Sequence, residues 1–115
     1  MRYGSTTVGP HRDDIALLLN GDDVRVFGSQ GQQRTTVLSL KLAQLEILRK
    51  ERGEAPVQLL DDVFSELDRR RQQMLVIAVQ GCQTFLTCTH IEELREAGVK
   101  RMQVYRVSAG EVLEE

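Results

Sequence analysis

An α/β fold with an antiparallel hairpin at each end is what this sequence predicts, and three observations carry the prediction. Two short apolar runs, residues 57–60 and 83–89, flank a helix-forming stretch over residues 68–79. Strand, helix and strand in that order imply a parallel crossover. Asn20-Gly21 stands between the apolar run 14–20 and the alternating Val24, Val26 and Phe27, the sequence sign of a tight hairpin. Near the other end, Ala109-Gly110 divides a second pair of strands within residues 102–113.

Between these features each element has a local reason. From residue 29 to 52 strong helix formers dominate, and Leu38, Leu42, Leu45 and Leu48 recur at helical spacing, with Val37 and Leu40 widening the stripe. A long, largely buried helix is expected, with the leucines as core. Gly53 can take the left-handed cap, and Pro56 restricts the chain before the strand 57–60, which ends at Asp61 and Asp62. Asp68 is placed to cap the next helix, which stops near Gly81. Thr89 is placed to cap a short one whose first turn holds Glu92 and Glu93, where carboxylates suit the helix dipole. Neither repeats nor linkers interrupt residues 1–115, which read as a single domain.

Composition narrows the function. The 115 residues carry 15 lysines and arginines against 17 aspartates and glutamates, and 41% are hydrophobic, as in an ordinary globular domain. The slightly acidic balance argues against a surface that is wholly a nucleic-acid footprint, while a local basic patch stays open. No apolar run approaches the roughly 18 residues of a membrane span, and Met1, Arg2, Tyr3 and Gly4 begin no apolar leader. A cytoplasmic protein with no membrane partner is expected. Cys82 and Cys88 lie in or beside a strand at a spacing that suits neither a disulfide nor a metal, so reduced packing thiols are expected.

Two stretches carry chemistry. Asp61 and Asp62 follow an apolar strand directly, and carboxylates there are costly unless a cation or hydrogen-bond donors meet them. Hydrated magnesium needs only one or two such oxygens, and a neighbouring carboxylate can orient an attacking water; a bland loop start is the competing reading. Second, Gly28-Ser29-Gln30-Gly31-Gln32-Gln33-Arg34 opens the long helix. Free amides at a helix start attract an anion, and Gly31 lets a phosphate approach the backbone, although an ordinary N-cap explains this stretch equally well when taken alone.

In their order these motifs resemble the second half of an ABC-type ATPase head, a P-loop NTPase fold. The signature of that class, Leu-Ser-Gly-Gly-Gln and often Gln-Arg, is met by Ser29, Gly31, Gln32, Gln33 and Arg34, while Gly28 and Gln30 depart from it. The wording of residues 9–14, 28–35 and 59–68 is similar to that of the RecF family, bacterial recombination mediators that act at single-stranded gaps. The resemblance implies a mixed sheet with parallel core strands, a long signature helix and a terminal hairpin. It implies ATP and Mg2+ as cofactors, with Asp61 as the metal carboxylate, Asp62 at the position of the catalytic glutamate and His90 as the catalytic switch histidine. Ser29, Gln30, Gly31 and Gln32 would reach in trans a nucleotide held by a second head, and Ser65, Glu66, Leu67 and Asp68 would form the D-loop at the dimer interface. Partners implied are an N-terminal ATPase lobe, a second copy of the head, DNA with a gap or a double/single-strand junction, and a RecR-like mediator.

One departure shapes the expectation. A Walker A loop ends in Gly-Lys-Ser/Thr, yet Lys41, Lys50 and Lys100 all lack a preceding glycine. The chain therefore reads as a C-terminal fragment of a longer head, inactive alone and slow in the full protein because Asp62 is one methylene shorter than glutamate. Two other readings compete. A receiver-like phosphoacceptor domain would use Asp61 or Asp62, but Asp13 and Asp14 precede their strand instead of ending it. A non-catalytic interaction module derived from an ATPase head would have no use for Asp61, Ser29 and Gly31. Of the remaining polar residues, Arg12 is expected to pair with Asp13, Asp14 or another loop, and Arg69, Arg70 and Arg71 to form a solvated face.

Overall fold

A computed structural model describes residues 8–115; the leader reading of residues 1–4 lies outside them. The chain forms two compact units, one up to Leu40 and one from Lys41 onward.

In the first unit, the amides of Arg12 and Asp13 both donate to the Gly9 carbonyl at 2.8 Å. The expected hairpin is present but short. Strand β1, Leu18–Leu19, pairs antiparallel with β2, Asp22–Asp23. Asn20 and Gly21 between them have φ of 55° and 93°, the left-handed pair that a two-residue turn needs. Val24, Val26 and Phe27 do not continue the strand; Val24–Phe27 is one helical turn, α1. The Asp23 side chain accepts from the Arg25 amide at 2.8 Å and starts the turn, and the Gly28 amide closes it on the Val24 carbonyl at 3.0 Å. A Cβ on Gly28 would lie 2.4 Å from that carbonyl oxygen, so this closure requires glycine. The local cap outcompetes the strand preference of the valines.

Helix α2, Gln30–Arg52, runs through both units and ends at Gly53, whose φ is 71°. Its stripe has the expected phase but a thinner cover. Leu45 is buried and Leu38, Leu42 and Leu48 are half-buried, whereas Val37, Leu40 and Ile47 are exposed. Periodicity fixes which side of a helix is apolar; cover depends on neighbours, and among the described residues those are few.

The second unit is built on a parallel pair, β3 (Gln58–Asp61) and β4 (Thr84–Thr87), matched residue by residue from Gln58–Thr84 to Asp61–Thr87. A parallel pair needs a crossover of a dozen or more residues. The link runs through a 3-10 turn, Phe64–Glu66, and helix α3, Arg69–Ala78. Asp68 caps α3 as expected, accepting from the Arg71 amide at 3.0 Å. Its other end is held by Arg49 of α2, whose guanidinium donates to the carbonyls of Ala78 (3.3 Å) and Gln80 (2.6 Å) and to Cys82 Sγ (2.9 Å). A cation on orphan C-terminal carbonyls suits the helix dipole.

Helix α4, Ile91–Glu96, carries Glu92 and Glu93 in its first turn, but its cap residue is His90 and not Thr89, with no side-chain capping bond. The closing hairpin, β5 (Tyr105–Ser108) with β6 (Glu111–Glu114), turns at Ala109 and Gly110 with φ of 50° and 83°. Instead of one mixed sheet, the described residues form three two-stranded sheets, of which only β3–β4 is parallel.

The core of this unit is Leu45, Phe64, Leu75, Leu94 and Ala97. Strand alternation gives β3–β4 two faces. Gln58, Leu60, Thr84 and Leu86 are half-buried, and Leu59, Asp61, Phe85 and Thr87 are exposed. Leu75→Ala should lower the unfolding free energy in urea by about 3 kcal/mol, since the side chain is 1% exposed. Leu59→Ala, at 77% exposure, should cost under about 0.5 kcal/mol. Equal losses at the two positions would contradict this division of faces.

Candidate functional site at the carboxyl ends of the parallel strands

Ligands of open α/β sheets bind outside the carboxyl ends of the strands, and there the second unit gathers its polar side chains. Asp61 ends β3 directly opposite Thr87, which ends β4. The Thr87 hydroxyl donates to Asp61 Oδ1 at 2.5 Å and accepts from the Asp62 amide at 2.9 Å. Asp62 sits at φ 49°, a left-handed conformation that aspartate tolerates better than most side chains. Ser65 Oγ lies 3.0 Å from Asp62 Oδ1 and 3.1 Å from the Asp62 carbonyl, so its single proton serves one of the two at a time. Asp61, Asp62, Ser65 and Thr87 thus form one hydrogen-bonded corner, open to solvent.

Among the described residues no three His, Cys, Asp or Glu side chains group as a metal cage. That donor set does not suit zinc or calcium, which take most of their ligands from protein. It does suit magnesium, which keeps several waters and needs one or two carboxylates beside a phosphate.

The other expected residues fall around this corner or in the first unit. Ser65 and Glu66 form the 3-10 turn, Leu67 follows it, and Asp68 is committed to its cap and to an ion pair with Arg71. His90 follows β4 and contacts the Thr89 hydroxyl at 2.9 Å and Glu93 at 3.9 Å, not the carboxylates of the corner. In the first unit the Ser29 amide donates to Gln32 Oε1 at 2.8 Å and the Gln32 amide to Ser29 Oγ at 3.2 Å. This reciprocal box caps α2 and leaves the Ser29 hydroxyl proton for another acceptor. Gln30 and Gly31 fill the first turn, where amides lack intrahelical partners. A Cβ on Gly31 would meet nothing within 4 Å, so no atom of the described chain demands a glycine there.

Both cysteines are free thiols. Burial pushes the Cys88 thiol up, against the His90 backbone N–H, with the carboxylates of Glu93, Glu92 and Asp62 adding to the rise; it is a neutral packing group. Arg69, Arg70 and Arg71 form an exposed face, with Arg69 3.6 Å from Glu96. Asp14 pairs with Arg25, not Arg12, through two bonds of 2.8 and 3.0 Å, and the Arg25 hydrogen bond holds its carboxyl below the usual range. Sequence reasoning missed Thr87, Arg49 and Arg25. Thr87 had a signal: Leu59-Leu60-Asp61 and Phe85-Leu86-Thr87 share one apolar-apolar-polar ending, and aligning them gives the observed register.

Comparison with known proteins decides the family. The chain is 51% identical over 107 residues to the DNA replication and repair protein RecF of Lachnoclostridium phytofermentans. It is 51% identical over 112 residues to that of Bacillus pumilus and 52% over 109 to that of Alkaliphilus oremlandii. These matches cover 93–96% of this chain. The chain belongs to the RecF family. It spans about 30% of the length of these RecF relatives. No family model matches it, and no solved structure gives a significant match.

The Asp68 cap has a measurable pH signature. The Arg71 backbone N–H, with the Arg71 side chain, lowers the Asp68 carboxyl below its ordinary value of 3.8. A carboxyl with a lowered folded value stabilises the fold above the unfolded value and loses that effect as pH falls through the folded one. Carboxyl NMR titration should place the Asp68 midpoint below 3.8, and Asp68→Ala should lower the melting temperature at pH 7 and reduce its fall on acidification. A midpoint at or above the ordinary value would contradict the cap as its cause.

Proposed function

We propose that this chain is the signature and Walker B part of an ATP-dependent DNA replication and repair protein. The observation that carries the proposal is the RecF match along almost the whole chain, coinciding with two carboxylates at the carboxyl end of a parallel strand. In this reading the protein is a recombinational repair mediator that acts on gapped DNA. ATP draws two heads together on it, and hydrolysis lets them separate.

Bound Mg2+ would neutralise phosphate charge and help orient the attacking water. Asp61 is the carboxylate that would hold it. Asp62, steadied by Ser65, accepts a proton from the attacking water, and its short side chain makes turnover slow. His90 meets the γ-phosphate. The Ser29 hydroxyl and the first-turn amides at Gln30 and Gly31 close in trans on the nucleotide of the partner head, with Gln32 holding Ser29 in place. Ser65, Glu66, Leu67 and Asp68 line the interface between heads.

The exposed face of β3–β4 supports a larger intact protein. Parallel sheets are covered on both faces, yet Leu59 and Phe85, paired across β3–β4, are 77% and 57% exposed. An N-terminal lobe, bearing the Walker A loop, would cover them. A RecR-like mediator and gapped DNA are the partners this function needs. The receiver-like alternative gains nothing, because Asp14 precedes β1 and is engaged by Arg25.

Two substitutions in the full-length protein test the reading. Ser29→Arg should abolish ATP-driven dimerisation, measured by light scattering, without changing the circular dichroism spectrum. Asp62→Asn should keep nucleotide binding and slow hydrolysis by about 100-fold or more. Parent-level dimerisation in the first, or parent-level turnover in the second, would remove the corresponding role.

A further inference from the structure

Thr87 has no part in the proposed chemistry, yet its hydroxyl is the group that bonds to both Asp61 and Asp62. Its hydroxyl accepts a hydrogen bond from the Asp62 amide at 2.9 Å and donates one to Asp61 Oδ1 at 2.5 Å. One side chain of β4 therefore fixes both neighbours at the end of β3. This arrangement follows from the parallel register, which sets Thr87 beside Asp61.

Burial does not demand these bonds. Asp61, Asp62 and Thr87 are all exposed, and water satisfies an exposed carboxylate or amide about as well as a protein group does. What water does not supply is direction. Thr87 restrains the Asp61 carboxylate through Oδ1, so that Oδ2 is the oxygen that would be left to meet a cation. With its amide held, Asp62 keeps the left-handed φ of 49° that starts the turn into Ser65. Strain of this kind persists where the surroundings over-determine it.

We infer that Thr87 is a positioning residue for magnesium: its hydroxyl orients the Asp61 carboxylate for the metal and locks the Asp62 turn beside it. The inference rests on the reading of Asp61 as the magnesium carboxylate. A hydroxyl that donates to a ligating carboxylate sets its orientation, and loss of such a partner weakens metal binding. The step involves no covalent change.

The test compares Thr87→Val, which keeps the β-branched volume and removes the hydroxyl, with Thr87→Ser, which keeps the hydroxyl and loses a methyl group. In the full-length protein, binding of a fluorescent ATP analogue is titrated with Mg2+ and repeated in EDTA, with a thermal melt of each variant. Thr87→Val should raise the Mg2+ concentration for half-maximal binding by about tenfold and leave binding in EDTA at the parent level. Thr87→Ser should restore the parent Mg2+ requirement. A parent Mg2+ requirement in Thr87→Val would overturn the inference, as would equal impairment of the two variants, which would assign the effect to volume. Asp61→Asn separates the two readings. If it loses the Mg2+ dependence while Thr87→Val keeps the parent's, the positioning role alone fails; if Asp61→Asn also behaves as the parent, the metal reading fails and the positioning role with it.

Discussion

Four parallel residue pairs, from Gln58–Thr84 to Asp61–Thr87, constrain everything else in the second unit. Parallel strands cannot be joined by a tight turn, so the chain between them must leave the strand ends, cross over and return. Phe64 and Leu75, the most deeply buried side chains, lie on that excursion. Their burial pins the crossover, the crossover pins the register, and the register sets Thr87 beside Asp61. A slip by one residue would send Asp61 to the covered face and replace an open acidic corner with a buried unpaired charge.

The corner is ordered by several individually modest bonds. Exposed hydrogen bonds contribute little net stability, but here they converge on Asp61 and Asp62 from two directions, the Thr87 hydroxyl on one strand and Ser65 in the following turn. Beside it lies an apolar sheet face with Leu59 and Phe85 uncovered. An open acidic corner next to an open apolar face is an arrangement that a larger protein completes, in keeping with a chain that spans about 30% of its RecF relatives. On the helix opening of the first unit, Ser29 and Gln32 satisfy each other, while Gly31 has open space where a side chain would stand. Both places present backbone or carboxylate at the exposed surface.

Features governed by neighbouring residues were legible in the sequence. Asn20-Gly21 and Ala109-Gly110 turn because their own backbone preferences suit the turn, Asp68 caps because it precedes a helix, and the leucine spacing gives the correct phase for α2. Features set by distant groups were not. Val24–Phe27 looks like a strand until Asp23 and Gly28 are seen to bracket a helical turn. The exposure of Ile47 depends on what packs against α2, and the Arg49 cap on where α3 ends. Asp14 has a sequence neighbour in Arg12, yet its partner, Arg25, comes from across the hairpin. For the candidate site, the apolar run before Asp61 and the serine before α2 located the carboxylates and the cap. Their roles rest on family resemblance, and Thr87 required the register of two strands.

The central claim is that the corner of Asp61, Asp62 and Thr87 receives a metal-bound phosphate. The most direct measurement is paramagnetic broadening of NMR signals in the full-length protein when Mn2+ and ATP are added together. The account predicts the strongest broadening at Asp61, Asp62 and Thr87. Broadening centred elsewhere, with these three signals unchanged, would contradict it.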